Sequence, residues 1–344
     1  MRLRSKFPRW GLTPILVLAS ALIFAGCEQS PSVLNPKGPV AATEATLFWI
    51  ILGIATFIFV VVTAVLIYSI VRFRGRPNMP EPRQIDGNNR LEIAWTIAPS
   101  FVLFVVLIFT IAFMFNLTPA SASTMHVTAI GHQWWWEFRY TDESPLVVTG
   151  DELHVPVGTN VDVLLQSDNV IHSLWVPQLS GKTDVIPGHN NHLIFQASVA
   201  GTFKGECAEY CGTQHAHMDF IVVADQPAAF SNWLTAQQAG PVAPTTADAQ
   251  AGMALFRSAG CAGCHAITGI NSPAQGQGPL IGPNLTHFGS RQVIAGYVLS
   301  NTTPNLTAWL KCPQCIKPGS DMVIPVQLSD QDVANLVAYL QSLQ

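Results

Sequence analysis

Between residues 207 and 218 the chain reads Cys207-Ala208-Glu209-Tyr210-Cys211-Gly212-Thr213-Gln214-His215-Ala216-His217-Met218. Thiolate, imidazole and thioether are soft or borderline donors, so the run favours copper, zinc or iron–sulfur chemistry over magnesium or calcium. A second concentration follows at Cys261-Ala262-Gly263-Cys264-His265. C-x-x-C-H is the attachment signature for c-type haem: two thiols add across the vinyl groups and the histidine binds iron. A third pair, Cys312-Pro313-Gln314-Cys315, carries Ile316 where a haem-binding histidine would stand. Outside the cytoplasm such a pair is most simply a short disulfide, stiffening the loop ahead of Met322. Cysteines grouped this closely point to cofactor sites before a disulfide scaffold.

The first run needs donors from elsewhere. His172 lies far upstream, where an early strand would supply a ligand. With Cys207, Cys211, His215 and Met218 it matches the donor supply of a blue-copper site, yet a mononuclear site of that kind uses one thiolate. Two thiolates separated by three residues can both bridge a pair of coppers. A Cys207–Cys211 disulfide and structural zinc are the alternatives, and zinc rarely recruits a thioether. For the haem, Met322 in Lys317-Pro318-Gly319-Ser320-Asp321-Met322 is the expected sixth ligand. Met253 and His287 are weaker candidates. A His–Met pair raises the potential, which suits delivery of electrons to copper. Trp309 reads either as a donor to a haem propionate or as core packing.

These sites need elements to hold them. The chain has 344 residues, 11% charged, and its formal net charge of -4 argues against nucleic acid, which calls for concentrated basic patches. Residues 1–26 read as a signal peptide, with a basic start at Arg2, Arg4, Lys6 and Arg9 and an apolar core. The ending Phe24-Ala25-Gly26-Cys27 resembles a lipoprotein signal with a lipid on Cys27. Leu47–Val71 and Ile93–Leu117 are long and apolar enough to span a bilayer. The loop between them carries Arg72, Arg74, Arg76, Arg83 and Arg90 against Glu81 and Asp86, which places it in the cytoplasm and both chain ends outside. Glu92, just before the second span, is either a solvated interfacial acid or part of a proton path in a partner subunit.

Short strands expected at 125–130, 134–140, 153–157, 161–165, 171–176, 193–197 and 221–223 suggest a small Greek-key sandwich over residues 123–226. Residues 227–247 form a linker whose first part packs as a helix through Phe230 and Trp233. Residues 248–344 form a helical module closed by a helix with Ser329 as its N-cap and Asp332 completing the capping box.

Taken with Gly131-His132-Gln133-Trp134, with His172-Ser173-Leu174-Trp175-Val176-Pro177 and with Leu91-Glu92-Ile93-Ala94-Trp95-Thr96-Ile97, the cysteine run resembles subunit II of haem-copper cytochrome c oxidases. The fused haem module places it with the caa3 type. The resemblance implies a two-helix transmembrane hairpin over residues 42–118, a cupredoxin-like CuA domain and an all-α class I cytochrome c domain. It implies that Cys207 and Cys211 bridge two coppers, that His172 and His215 bind one each, and that Met218 and the Glu209 carbonyl are weak ligands. The Glu209 carboxylate would help hold magnesium or manganese shared with subunit I. Trp134 would admit electrons, Glu92 would open a proton path, and Pro283 would pack on His265. Trp135 stands where the family more often has tyrosine. Implied partners are subunit I, subunit III and an external donor: a cytochrome c, another small redox protein or a quinol-oxidising complex. The implied location is the bacterial inner membrane, with both redox domains on the outer face. The resemblance makes the chain an electron-transfer subunit of a proton-pumping oxidase that reduces oxygen to water. The alternative is the small subunit of a CuA-containing nitric oxide reductase.

Overall fold

The computed structural model describes residues 31–75, 84–115, 124–278 and 280–344. The expected signal peptide, Cys27, and Arg76 and Arg83 of the basic loop lie outside the described residues. Helix α1 spans Pro39–Arg72 and α2 spans Asn89–Met114, both long and apolar enough to cross a membrane. Pro39 starts α1, where its missing N–H costs nothing. Asn88 caps α2, its side chain accepting from the amides of Arg90 (3.1 Å) and Leu91 (3.3 Å), and Glu92 sits in the first turn. At 34 residues α1 exceeds the span a bilayer requires. It begins well before the expected Leu47 because its first turns leave the apolar layer and pack on the β-domain. Val40, Ala41 and Ala45 are buried, and a Cβ at Gly38 would run into the Gln196 carbonyl. The anchor is thus seated on the domain it carries.

That domain is a sandwich of ten strands: β1 Thr124–His132, β2 Trp135–Tyr140, β3 Val147–Gly150, β4 Glu152–Pro156, β5 Asn160–Ser167, β6 His172–Trp175, β7 Thr183–Val185, β8 Asn191–Gln196, β9 Gly201–Cys207 and β10 Asp219–Asp225. One sheet has the order β3-β2-β1-β5-β8 and the other β4-β10-β9-β6-β7. The pairs β1–β5 and β4–β10 are parallel and the rest antiparallel. Trp136, Phe138, Phe195 and Phe220 fill the space between the sheets. Strands β3, β7 and β9 were not expected from sequence. In β9, Gly, Lys and Glu give little β signal, but Gly205 is required because a Cβ there would strike the Phe220 ring.

Helix α3, Pro227–Gln238, is the packed first half of the linker. Trp233 stacks on His154 (4.1 Å, 10°) and lies 5.3 Å from Tyr140. The helical module follows: α4 Ala247–Ser258, a minimal hairpin of β11 Val293–Ile294 and β12 Leu299–Ser300, α5 Thr303–Lys311, α6 Pro313–Ile316 and α7 Asp330–Ser342. The expected capping box of Ser329 and Asp332 is present. Helices α4 and α7 cross at Gly252, where a Cβ would overlap the Asn335 carbonyl. Cys312 and Cys315 form a disulfide.

The module packs directly on the sandwich. Val148 N donates to Gln275 Oε1 (2.8 Å), Val293 N to Glu152 Oε1 (3.0 Å) and Asp219 N to the Gly296 carbonyl (3.2 Å). Val293 also joins Ile221 and Val223 in a small apolar cluster. Gly252→Ala is expected to cost about 1–3 kcal/mol through overpacking, seen as a lower thermal midpoint for the helical module; an unchanged midpoint contradicts the close crossing. Thiol labelling without reductant should leave Cys312 and Cys315 unmodified.

Candidate functional site

Strand β6 begins at His172, wholly buried, and β9 ends at Cys207 beside it. The loop to β10 then folds back over the pair. His172 Nδ1 lies 3.8 Å from Cys207 Sγ, and the two thiol sulfurs are 3.8 Å apart. Cys211 Sγ is 3.7 Å from His215 Nδ1 and 3.8 Å from Met218 Sδ. The Glu209 carbonyl is 3.3 Å from Cys207 Sγ. Both cysteines are free, so the disulfide alternative falls. The Cys211 thiol donates toward Cys207 and holds its pKa well below the usual thiol range against the effect of burial, while Cys207 pushes Cys211 up.

His172, Cys207, Cys211 and Met218 therefore meet at one buried point, with the half-buried His215 at its edge. His217 does not; its Nδ1 is 2.7 Å from Gln214 Oε1. Sequence reasoning missed Asn169, whose Oδ1 accepts from His172 Nε2 (3.1 Å) and so presents Nδ1 to the sulfurs. Gly131 leaves room for His172, since a Cβ there would lie 2.8 Å from its ring. The Glu209 side chain is half-buried and makes no polar contact among the described residues.

Trp134 stands against this loop. Its Nε1 donates to the Cys211 carbonyl (3.0 Å), as does Gln133 Nε2 (2.8 Å). Trp135 stacks on His132 (4.3 Å, 6°). On their other side both tryptophans line a cleft of about 190 Å3 that reaches into the helical module. Its lining includes Cys261, Cys264, His265 and Met322, with Trp309 and a largely apolar wall. His265 Nδ1 donates to the Pro283 carbonyl (2.9 Å), which fixes the tautomer and leaves Nε2 as the free donor atom. Burial lowers the His265 pKa, which keeps the ring neutral. Gly282 is required there, a Cβ lying 2.8 Å from His265 Nδ1. Met253 packs in the module's core, and His287 Nε2 donates to the carbonyls of Gln237 and Ala239 (3.1 and 3.0 Å). Neither lines the cleft.

The cleft fits a haem with two carboxylates. Ser320 Oγ is buried there without a partner. Arg291 and Lys317 also line it, and neither forms an ion pair among the described residues. Sequence reasoning assigned no role to these three residues. Glu92 is exposed in α2's first turn, at the end of the hairpin away from both sites.

Three family models match: cytochrome c oxidase subunit II, transmembrane domain, over residues 36–113; cytochrome c oxidase subunit II, periplasmic domain, over 144–225; and cytochrome c over 249–344. A protein of Alkalihalophilus pseudofirmus named cytochrome c oxidase subunit 2 is 37% identical over 332 residues, covering 94% of each chain. Its counterpart in Bacillus sp. is 34% identical over 345 residues, covering 94% of this chain and 95% of that one. A quinol oxidase subunit 2 of Bacillus anthracis is 30% identical over 253 residues, covering 70% of this chain and 84% of its own. The matched domains imply copper at the soft-donor cluster and haem c in the cleft. The chain belongs to the cytochrome c oxidase subunit II family, in the form that carries its own C-terminal cytochrome c domain.

Proposed function

We propose that this electron-transfer subunit of a terminal oxidase takes electrons at haem c and hands them to subunit I through a dinuclear CuA centre, with Trp134 between the two sites. One observation carries the reading: Trp134 lines the cleft that holds the C-x-x-C-H residues while its indole donates to the Cys211 carbonyl. Cys207 and Cys211 would hold the two coppers through their thiolates, His172 and His215 would bind through imidazole nitrogen, and Met218 and the Glu209 carbonyl would be weak ligands. The spacing of these donors, 3.3–3.8 Å between neighbours, supports that assignment. The bound groups supply one-electron carriers, and the protein supplies a rigid, largely buried cage. Cys261 and Cys264 would attach the haem covalently, His265 would offer Nε2 to iron, and Met322 would be the second protein ligand to it.

The Glu209 carboxylate, without a polar partner among the described residues, is proposed to share magnesium or manganese with subunit I. Glu92 is proposed to open a proton path into subunit I. Electrons come from an external donor: a cytochrome c, another small redox protein or a quinol-oxidising complex. Subunit III completes the partner set. The basic residues Arg72, Arg74 and Arg90 at the hairpin's turn support a cytoplasmic position for that end, with both redox domains outside. Two relatives named as cytochrome c oxidase subunits, each covering 94% of this chain, favour oxygen over nitric oxide as the complex's acceptor.

Cys207→Ser should abolish the mixed-valence copper EPR signal of the purified complex; a persisting multiline spectrum contradicts the bridging assignment. Met322→Ala should remove the methionine–iron charge-transfer band and lower the haem c potential, while the haem remains covalently attached. Glu92→Gln should slow oxygen consumption yet leave the copper and haem c spectra intact; unchanged turnover contradicts the proton-path role.

A further inference from the structure

We propose that Lys317 is the pin that seats the cytochrome unit on the copper unit and holds the haem cleft against Trp134. The residue belongs to the cytochrome unit, is 3% exposed, and reaches across the boundary between the two. Its Nζ donates to the Trp134 carbonyl (2.8 Å) and to the Ala295 carbonyl (3.3 Å). An ammonium has three donors, so two are spent on backbone carbonyls. The same side chain lines the cleft, where the remaining donor can meet a haem propionate.

The surroundings are built for this insertion. Gly296 has φ +69°, and a Cβ there would lie 2.7 Å from Lys317 Nζ and 2.7 Å from the His217 carbonyl. Only glycine lets that loop pass between the lysine and the copper-side loop. On either side the contact continues: Gly319 packs on Thr213 (3.1 Å from a Cβ), Gln214 donates to the Pro318 carbonyl, and Asp219 N donates to the Gly296 carbonyl. The turn carrying Lys317 is braced by the Cys312–Cys315 disulfide and by its own amide, which donates to the Pro313 carbonyl (2.8 Å).

A buried cation is costly unless its donors and charge are answered. Asp151, Asp219 and Cys211 are the groups whose charge bears on Lys317, Arg291 bears on Asp151 as well, and Lys317 ion-pairs with none of them among the described residues. Burial pulls the Lys317 pKa down to about 8. The backbone carbonyl of Trp134 is thus tied by a charged donor from the cytochrome unit, while the Trp134 indole is tied to Cys211. Lys317 is a positioning residue: it acts through Trp134 and touches no copper donor.

This rests on the reading that the cleft holds haem c, so covalent haem is first measured in the purified wild-type complex; its absence overturns that reading and not the pin alone. With haem present, Lys317→Met keeps the apolar stem and removes charge and donors. Hydrogen exchange at the interface amides of Val148, Asp219 and Val293 should then speed up by roughly tenfold or more, the factor carried by a charge-assisted hydrogen bond. The haem c midpoint potential should fall, because a nearby positive charge that favours the reduced state is gone. Wild-type exchange together with a wild-type potential overturns the proposal. Should Lys317→Met fail to assemble, Lys317→Gln decides: it keeps an N–H donor without charge, so the potential must fall and the interface amides must exchange faster than in wild type. An unchanged potential there overturns it too.

Discussion

The carbonyl oxygen of Cys211 accepts from the Trp134 indole and from the Gln133 amide at once. That atom belongs to the loop that carries the soft donors, so the position of the aromatic corner and of the copper loop are one constraint. Gly212, at φ +118°, follows immediately, and a Cβ there would lie 3.0 Å from the Trp134 ring. The loop can close over its donors only if the ring stays where it is. His172, held from behind by Asn169, supplies the opposite wall. A site supported on both sides in this way moves little when its charge changes, which is what a one-electron carrier needs.

The same economy governs the anchor. Helix α1 runs out of the membrane layer and buries Val40, Ala41 and Ala45. A two-helix hairpin joined to a sandwich by a loose loop would let the copper domain tilt. Continuing the helix into the domain removes that freedom, so the orientation of the copper loop relative to the bilayer is set within this chain before any partner subunit binds.

The chemistry was legible in the sequence because cofactors demand particular donors at particular spacings. Cys207, Cys211, His215 and Met218 meet as expected, and so do Cys261, Cys264, His265 and Met322 around their cleft. The membrane helices were legible from length and apolarity, and Phe230 and Trp233 disclosed α3. Strand β9 was hidden because Gly205 is selected by Phe220 on the neighbouring strand and not by strand propensity. His287, a weaker candidate for iron, turned out to donate to two backbone carbonyls at the end of α3, a role with no mark in sequence. Lys317 was hidden for the deepest reason. A buried lysine looks like any surface lysine until the two units are brought together, and the residues that bury it are far away in the chain.

Helix α3 has a consequence for kinetics. Because Trp233 fastens it to the sandwich, the slack between the units shrinks to the stretch from Ala239 to Thr246. Fully extended, eight residues reach roughly 28 Å. A short strap of this kind turns an encounter between molecules into an intramolecular one, at an effective concentration on the order of millimolar. On the proposed reading, the last transfer before the coppers is first-order and indifferent to how much soluble carrier surrounds the membrane. Regulation by donor abundance or by ionic strength is displaced outward, to the step that loads the tethered haem.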